Sequence, residues 1–80
     1  YSRMKKAERR EAVYWHACLM YARDDSMGNQ SLRERFGLSD SRKDTVAISR
    51  LIKECRDEGL IKDEDEDAGD KYRRYIPYWA

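Results

Sequence analysis

Between Arg42 and Arg56 the sequence RKDTVAISRLIKECR places cations, hydroxyls and one β-branched methyl pair on a single helical face. At 100° per residue Arg42, Val46, Ser49, Arg50 and Lys53 fall together, flanked by Lys43, Thr45 and Arg56. Such a mixture has a definite chemistry. Cations hold phosphate oxygens and read guanine, short hydroxyls serve either phosphate or base, and an exposed valine tip meets a thymine methyl in a major groove. Charged faces are also often plain solvated surface, so the charges alone favour the bland reading. Elements that aim the face at a duplex are needed to overturn it.

The residues just before supply such elements. In NQSLRERFGL, Leu32 and Phe36 share one face of a short helix, Gly37 stands where a left-handed terminating residue is wanted, and Leu38 enters the core. Ser41 and Asp44 have the S-x-x-D spacing of a capping box, which starts a longer helix near Arg42 that runs to Glu58 and is ended by Gly59. Its inward side is Ala47, Ile48, Leu51, Ile52 and Cys55. Two helices joined by a tight glycine turn form a helix-turn-helix pattern, and this context tips the cationic face towards DNA.

Upstream, Arg3 to Arg23 contains good helix formers without Gly or Pro, and Trp15, Cys18, Leu19 and Ala22 share one side of that first helix. Val13, Tyr14, Ala17, Met20 and Tyr21 populate the other sides, so its second half is apolar nearly all round and something must cover it. Three covers are open: the aromatic C-terminal strand, a second copy packed on helix one as a homodimer, or another domain of a parent protein. Met27 to Asn29 has room for a short strand. Leu60 to Asp63 reads as a strand, Glu64 to Asp70 as a loop turned at Gly69, and Lys71 to Trp79 as a returning strand, together a β-hairpin. Pro77 has no N–H to give a ladder, so pairing is expected to end near Ile76 or to lie on an edge. Tyr72, Ile76 and Tyr78 lie on one side of that strand, Tyr75 and Trp79 on the other.

Composition bounds the rest. Eighty residues, 40% hydrophobic and 41% charged, make one small domain spanning 1–80, near the size at which a core contributes only about 3–5 kcal/mol. There is no run of about 20 apolar residues to cross a membrane and no signal-peptide pattern, so a cytoplasmic setting is expected. The net charge of +1 conceals segregation: Arg3, Lys5, Lys6, Arg9 and Arg10 open the chain, Asp63, Glu64, Asp65, Glu66, Asp67 and Asp70 form an acidic block, and Lys71, Arg73 and Arg74 follow at once. A phosphate-binding surface including Arg73 and Arg74 is thus available locally, without the strongly basic balance usual among nucleic-acid binders. The start on Tyr1 rather than Met is expected of a piece cut from a longer protein.

Other residues invite chemistry and are better read as structure. His16, the single histidine, has no Cys, Asp or Glu spaced to share a metal and is read as structural or solvent-facing. The acidic block lacks the alternation and terminal Glu of a calcium loop and is read as a solvated tip. Cys18 and Cys55 are read as reduced core thiols. The two tryptophans and six tyrosines build core more often than they stack bases. Asn29, Gln30 and Ser31 have donors for a phosphate, but capping is the safer reading. No nucleophile, base and orienter can be assembled, so no enzyme, metal or cofactor is expected.

The order helix, helix, recognition helix, hairpin is that of a winged helix-turn-helix, an α+β fold of three helices plus a β-hairpin wing. The stretches NQSLRERFGL, ISRLIKECRDEGLIK and KYRRYIPYWA resemble the C-terminal winged helix of bacterial proteins labelled transcriptional regulators or RecG-helicase-like proteins, in which a Schlafen AlbA-type ATP-binding domain comes first. The resemblance runs from about Tyr14 to Ala80, and the terminal Tyr-Ile-Pro-Tyr-Trp-Ala is its most specific part. It implies double-stranded DNA as partner, with the third helix in the major groove and Arg42, Lys43, Thr45, Ser49, Arg50 and Lys53 on the reading face. It implies no helicase activity here, since no phosphate-binding loop is present. The acidic loop departs from a typical wing, and its like charge is expected to keep it away from the phosphates. The rival reading is a protein-interaction or dimerisation module on the same scaffold, favoured by the modest net charge and the acidic wing.

Overall fold

In the computed structural model, which describes residues 1–67, 69 and 73–80, three helices and a two-stranded antiparallel sheet follow in the order α1 Lys6–Ala22, α2 Asn29–Arg35, α3 Arg42–Asp57, β1 Ile61–Asp63, β2 Tyr75–Pro77. The expected start of the returning strand at Lys71 and Tyr72, and Asp70 of the acidic block, lie outside the described residues.

α1 begins three residues later than its helix-forming composition suggests. Tyr1 to Met4 instead form a turn, with the Met4 N–H donating to the Tyr1 carbonyl at 3.1 Å. That turn lets the Tyr1 ring pack on Phe36 at 5.0 Å, with the Arg9 guanidinium 4.2 Å from the ring centroid. The helix gives out at Arg23. Asp24 then takes φ +57, a left-handed conformation that Asp tolerates better than most residues.

The side of α1 that turns inward is Val13, His16 and Ala17. The Trp15–Cys18–Leu19–Ala22 side faces outward, with Trp15 62% and Leu19 48% exposed. In an α-helix 13 and 17 are i, i+4 neighbours, and the small Ala17 permits close approach of the neighbouring helices. Val13 and Ala17 join Met27, Leu32, Ile48, Leu51, Ile52, Cys55, Ile61 and Tyr75 in one core, with Phe36, Leu38, Leu60 and Tyr1 packed at its edge. Each fully buried aliphatic side chain there contributes about 1.5–3 kcal/mol. Cys18 and Cys55 are both free thiols, the first half-buried and the second buried.

Strand pairing ties the chain's distant parts together. β1 and β2 pair in the register Ile61↔Pro77, Lys62↔Ile76, Asp63↔Tyr75, so the ladder extends to Pro77 instead of ending at Ile76. The reason lies in the alternation of an antiparallel ladder. Hydrogen bonds run from the Tyr78 N–H to the Leu60 carbonyl and from the Glu64 N–H to the Arg74 carbonyl. Ile61 and Pro77 therefore form a pair that needs no bond between them, and the missing N–H costs the ladder nothing. On the far edge of β2, Met27 and Tyr75 exchange both backbone bonds, at 3.1 and 2.7 Å, realising as one bridge the strand that Met27 to Asn29 has room for. Tyr75 and Pro77 point inward, Ile76 is half-buried and Tyr78 is exposed.

Candidate nucleic-acid interface

The turn between α2 and α3 is built from local chemistry. Gly37 has φ +70 and Gly59, past the end of α3, has φ +76, both in the region that favours glycine. Ser41 caps α3 by accepting the Asp44 N–H at 3.2 Å. The expected capping box is half formed: the Asp44 carboxylate accepts from the Ser39 N–H and hydroxyl at 2.9 and 2.8 Å, not from the Ser41 N–H. These bonds, the backbone one foremost, hold the Asp44 carboxyl below its ordinary pKa. Its charge thus sits at the helix N-terminus, where the dipole favours it.

A polar clasp then sets α3 against α2. The Asn29 side-chain amide donates to the Thr45 carbonyl at 3.1 Å and to the Ser49 hydroxyl at 3.0 Å. Its oxygen accepts from Arg33 Nε at 2.6 Å, and Arg33 Nη1 donates to the Ser39 carbonyl at 3.2 Å. Asn29 is therefore a positioning residue, beyond the capping role that sequence suggests. Ser31 does cap: its hydroxyl accepts the Gly28 N–H at 3.0 Å.

With α3 so fixed, Ile48, Leu51, Ile52 and Cys55 are buried and Ala47 is half-buried, while Arg42, Lys43, Val46, Ser49, Arg50 and Lys53 are all exposed. Thr45 is half-buried beneath the Asn29 clasp. Lys53 lies 3.9 Å from Asp57 in an exposed pair, which contributes little and leaves the ammonium accessible. Burial pushes the Cys55 thiol up to about 11, as expected of an inert core sulfhydryl.

The two arginines after the hairpin loop part company. Arg73 lines a cleft of about 330 Å³ with Ser49, Ile52, Lys53, Arg56 and Tyr75. Arg74 instead lies against Gly28, so close that a Cβ there would meet its Nη1 at 3.0 Å. The adjacent side chains alternate across the chain direction, as in a strand. The hairpin-side cleft thus gathers Lys53, Arg56 and Arg73 beside Ser49. Arg56 is held 3.6 Å from Asp63. Of the acidic block, Asp63 faces this arginine and Glu64 accepts from the Ser26 hydroxyl at 3.3 Å, while Glu64, Asp65, Glu66 and Asp67 are all exposed.

On the opposite side of α3 a second cleft of about 200 Å³ is lined by Tyr1, Lys6, Arg9, Ala47, Arg50, Leu51 and Glu54. Lys6 and Arg9 carry an i, i+3 spacing that is visible in sequence, but only the packing of α1 on α3 brings them beside Arg50. His16 is buried, its Nε2 lying 3.3 Å from the Ser31 hydroxyl. Among the described residues no group of three or more His, Cys, Asp or Glu could hold a metal ion, and no helix is long and apolar enough to cross a membrane. Comparison of the chain with protein-family models, with characterised proteins and with solved structures finds no match.

Proposed function

We propose that this chain is a winged helix module that binds double-stranded DNA, with α3 in the major groove and the β1–β2 hairpin as its wing, and that it serves transcription regulation beside an ATP-binding domain of the kind the sequence resemblance implies. The observation that carries this reading is the division of α3. One side is buried in the core, while the other exposes Arg42, Lys43, Val46, Ser49, Arg50 and Lys53 in one continuous strip. In this reading Arg42, Lys43 and Lys53 hold phosphates, while Val46, Ser49 and Arg50 stand nearest the bases. The Asn29 amide on Ser49 fixes how the strip is turned.

Reversing charge at the centre of the strip tests it. Arg50→Glu with Lys53→Glu is expected to remove duplex binding while the thermal unfolding transition stays in place, because both side chains are exposed. A folded double variant that binds DNA as the parent does would dismiss this face as the interface.

A second reading, a dimerisation surface on the same scaffold, is favoured by one observation. Trp15, Leu19, Tyr78 and Trp79 are 62%, 48%, 56% and 52% exposed, apolar surface of the kind that marks interaction sites.

A further inference from the structure

We infer that the cleft between the first turns of α1 and the middle of α3 is a second phosphate site, which takes a phosphodiester of the DNA backbone on the flank of α3 away from the hairpin. This rests on the DNA reading above and extends it to residues of α1.

Two cations of α1, Lys6 and Arg9, line that cleft beside the base-reading Arg50 and against the single carboxylate of Glu54. The two ion pairs formed among the described residues, Lys53–Asp57 and Arg56–Asp63, lie elsewhere. Arg9 is preorganised: its guanidinium rests over the Tyr1 ring at 4.2 Å. An anionic oxygen is the acceptor that a guanidinium takes most readily.

The geometry of a groove supplies the ligand. An α-helix with its side chains is about 10–12 Å across, and the major groove is about 12 Å wide. A helix lying in it therefore has a row of phosphates along each flank. At 100° per residue Ser49, Lys53 and Arg56 lie on one flank of α3, and Ala47, Arg50 and Glu54 on the other. The hairpin-side cleft furnishes cations for the first row. The α1-side cleft does so for the second, with Lys6 and Arg9 of α1 among its lining residues.

The test is the salt dependence of duplex binding by the chain and its Lys6→Gln variant. Lys6 is exposed, so the variant keeps the parent's unfolding transition. The slope of log affinity against log salt should fall in magnitude by about 0.9, the signature of one lost phosphate contact, and by the same amount on unrelated DNA sequences. Lys53→Gln should lose a similar increment and the double variant about twice as much, whereas Arg23→Gln, a cation at the far end of α1, should leave the slope unchanged. A Lys6→Gln slope equal to the parent's, beside a reduced Lys53→Gln slope, overturns the α1 site and leaves the DNA reading standing. Absence of salt-dependent duplex binding by the parent chain overturns both.

Discussion

His16 shows how one side chain links burial to solution behaviour. It is 8% exposed, its Nε2 meets the Ser31 hydroxyl at 3.3 Å, and its Nδ1 is buried without a partner. Burial first, and the Arg35 guanidinium second, lower its pKa from the ordinary 6.5. The folded state thus accepts the neutral ring, and below about pH 6.5 the unfolded chain binds the proton more readily. Stability from this residue is fully present above that pH and is lost as pH falls towards the depressed folded value. Urea unfolding between about pH 7.5 and 5, above the range in which ordinary carboxylates titrate, should show a decline in the parent that His16→Gln lacks. Equal profiles for the two chains would sink this account. Sequence left His16 either structural or solvent-facing, because a lone histidine on a helix that is apolar nearly all round carries no sign of which side turns inward.

At the scale of elements, the two glycines after α2 and α3 carry the sharpest expectation. Gly37 and Gly59 have φ +70 and +76, and a Cβ at either would meet nothing within 4 Å. Replacing either by Ala therefore adds backbone strain without a clash, about 1–2 kcal/mol each. Denaturant midpoints for the two variants measure this, and a Gly37→Ala chain as stable as the parent would show that the turn is not held left-handed. These glycines, the Ser41 cap and the buried side of α3 were legible in sequence because each is fixed by residues within a few positions. The Asp44 carboxylate was not: the S-x-x-D spacing points it at Ser41, but the turn brings the Ser39 N–H and hydroxyl nearer. Nor was the outward side of α1, since periodicity cannot choose between two apolar sides of one helix. Equally, Arg73 and Arg74 look alike in the sequence, and only the pairing of β2 parts them. The clasp from Asn29 to Ser49 and the meeting of Lys6 with Arg50 are products of helix packing, for which no local signal exists.

For the whole molecule, the main question raised by its surface is what meets the aromatic side of α1. The C-terminal residues cover part of it: Trp79 Nε1 donates to the Tyr14 hydroxyl at 2.8 Å, Tyr78 stacks on Tyr14 at 6.1 Å, and Tyr21 meets Trp79 edge-on at 5.6 Å. Trp15 and Leu19 stay open. With about 150–250 Å² per aromatic side chain, the exposed parts of Trp15, Leu19, Tyr21, Tyr78 and Trp79 amount to roughly 500 Å², short of the roughly 800 Å² per partner of a standard interface. Self-association through this side should therefore be weak. Sedimentation should show a monomer that dimerises only as concentration rises, and Trp15→Arg should abolish the dimer; a parent chain that stays monomeric throughout would remove the dimer reading. The division of α3 has a further consequence, for how such a molecule can change over generations. Arg42, Val46, Arg50 and Lys53 lie on the exposed strip, apart from the buried side that holds the core. Substitutions at such surface positions usually alter stability by no more than about 0.5 kcal/mol. On the DNA reading proposed above, descendants of this chain can therefore rewrite that strip residue by residue and acquire new targets, while the scaffold beneath is inherited unaltered.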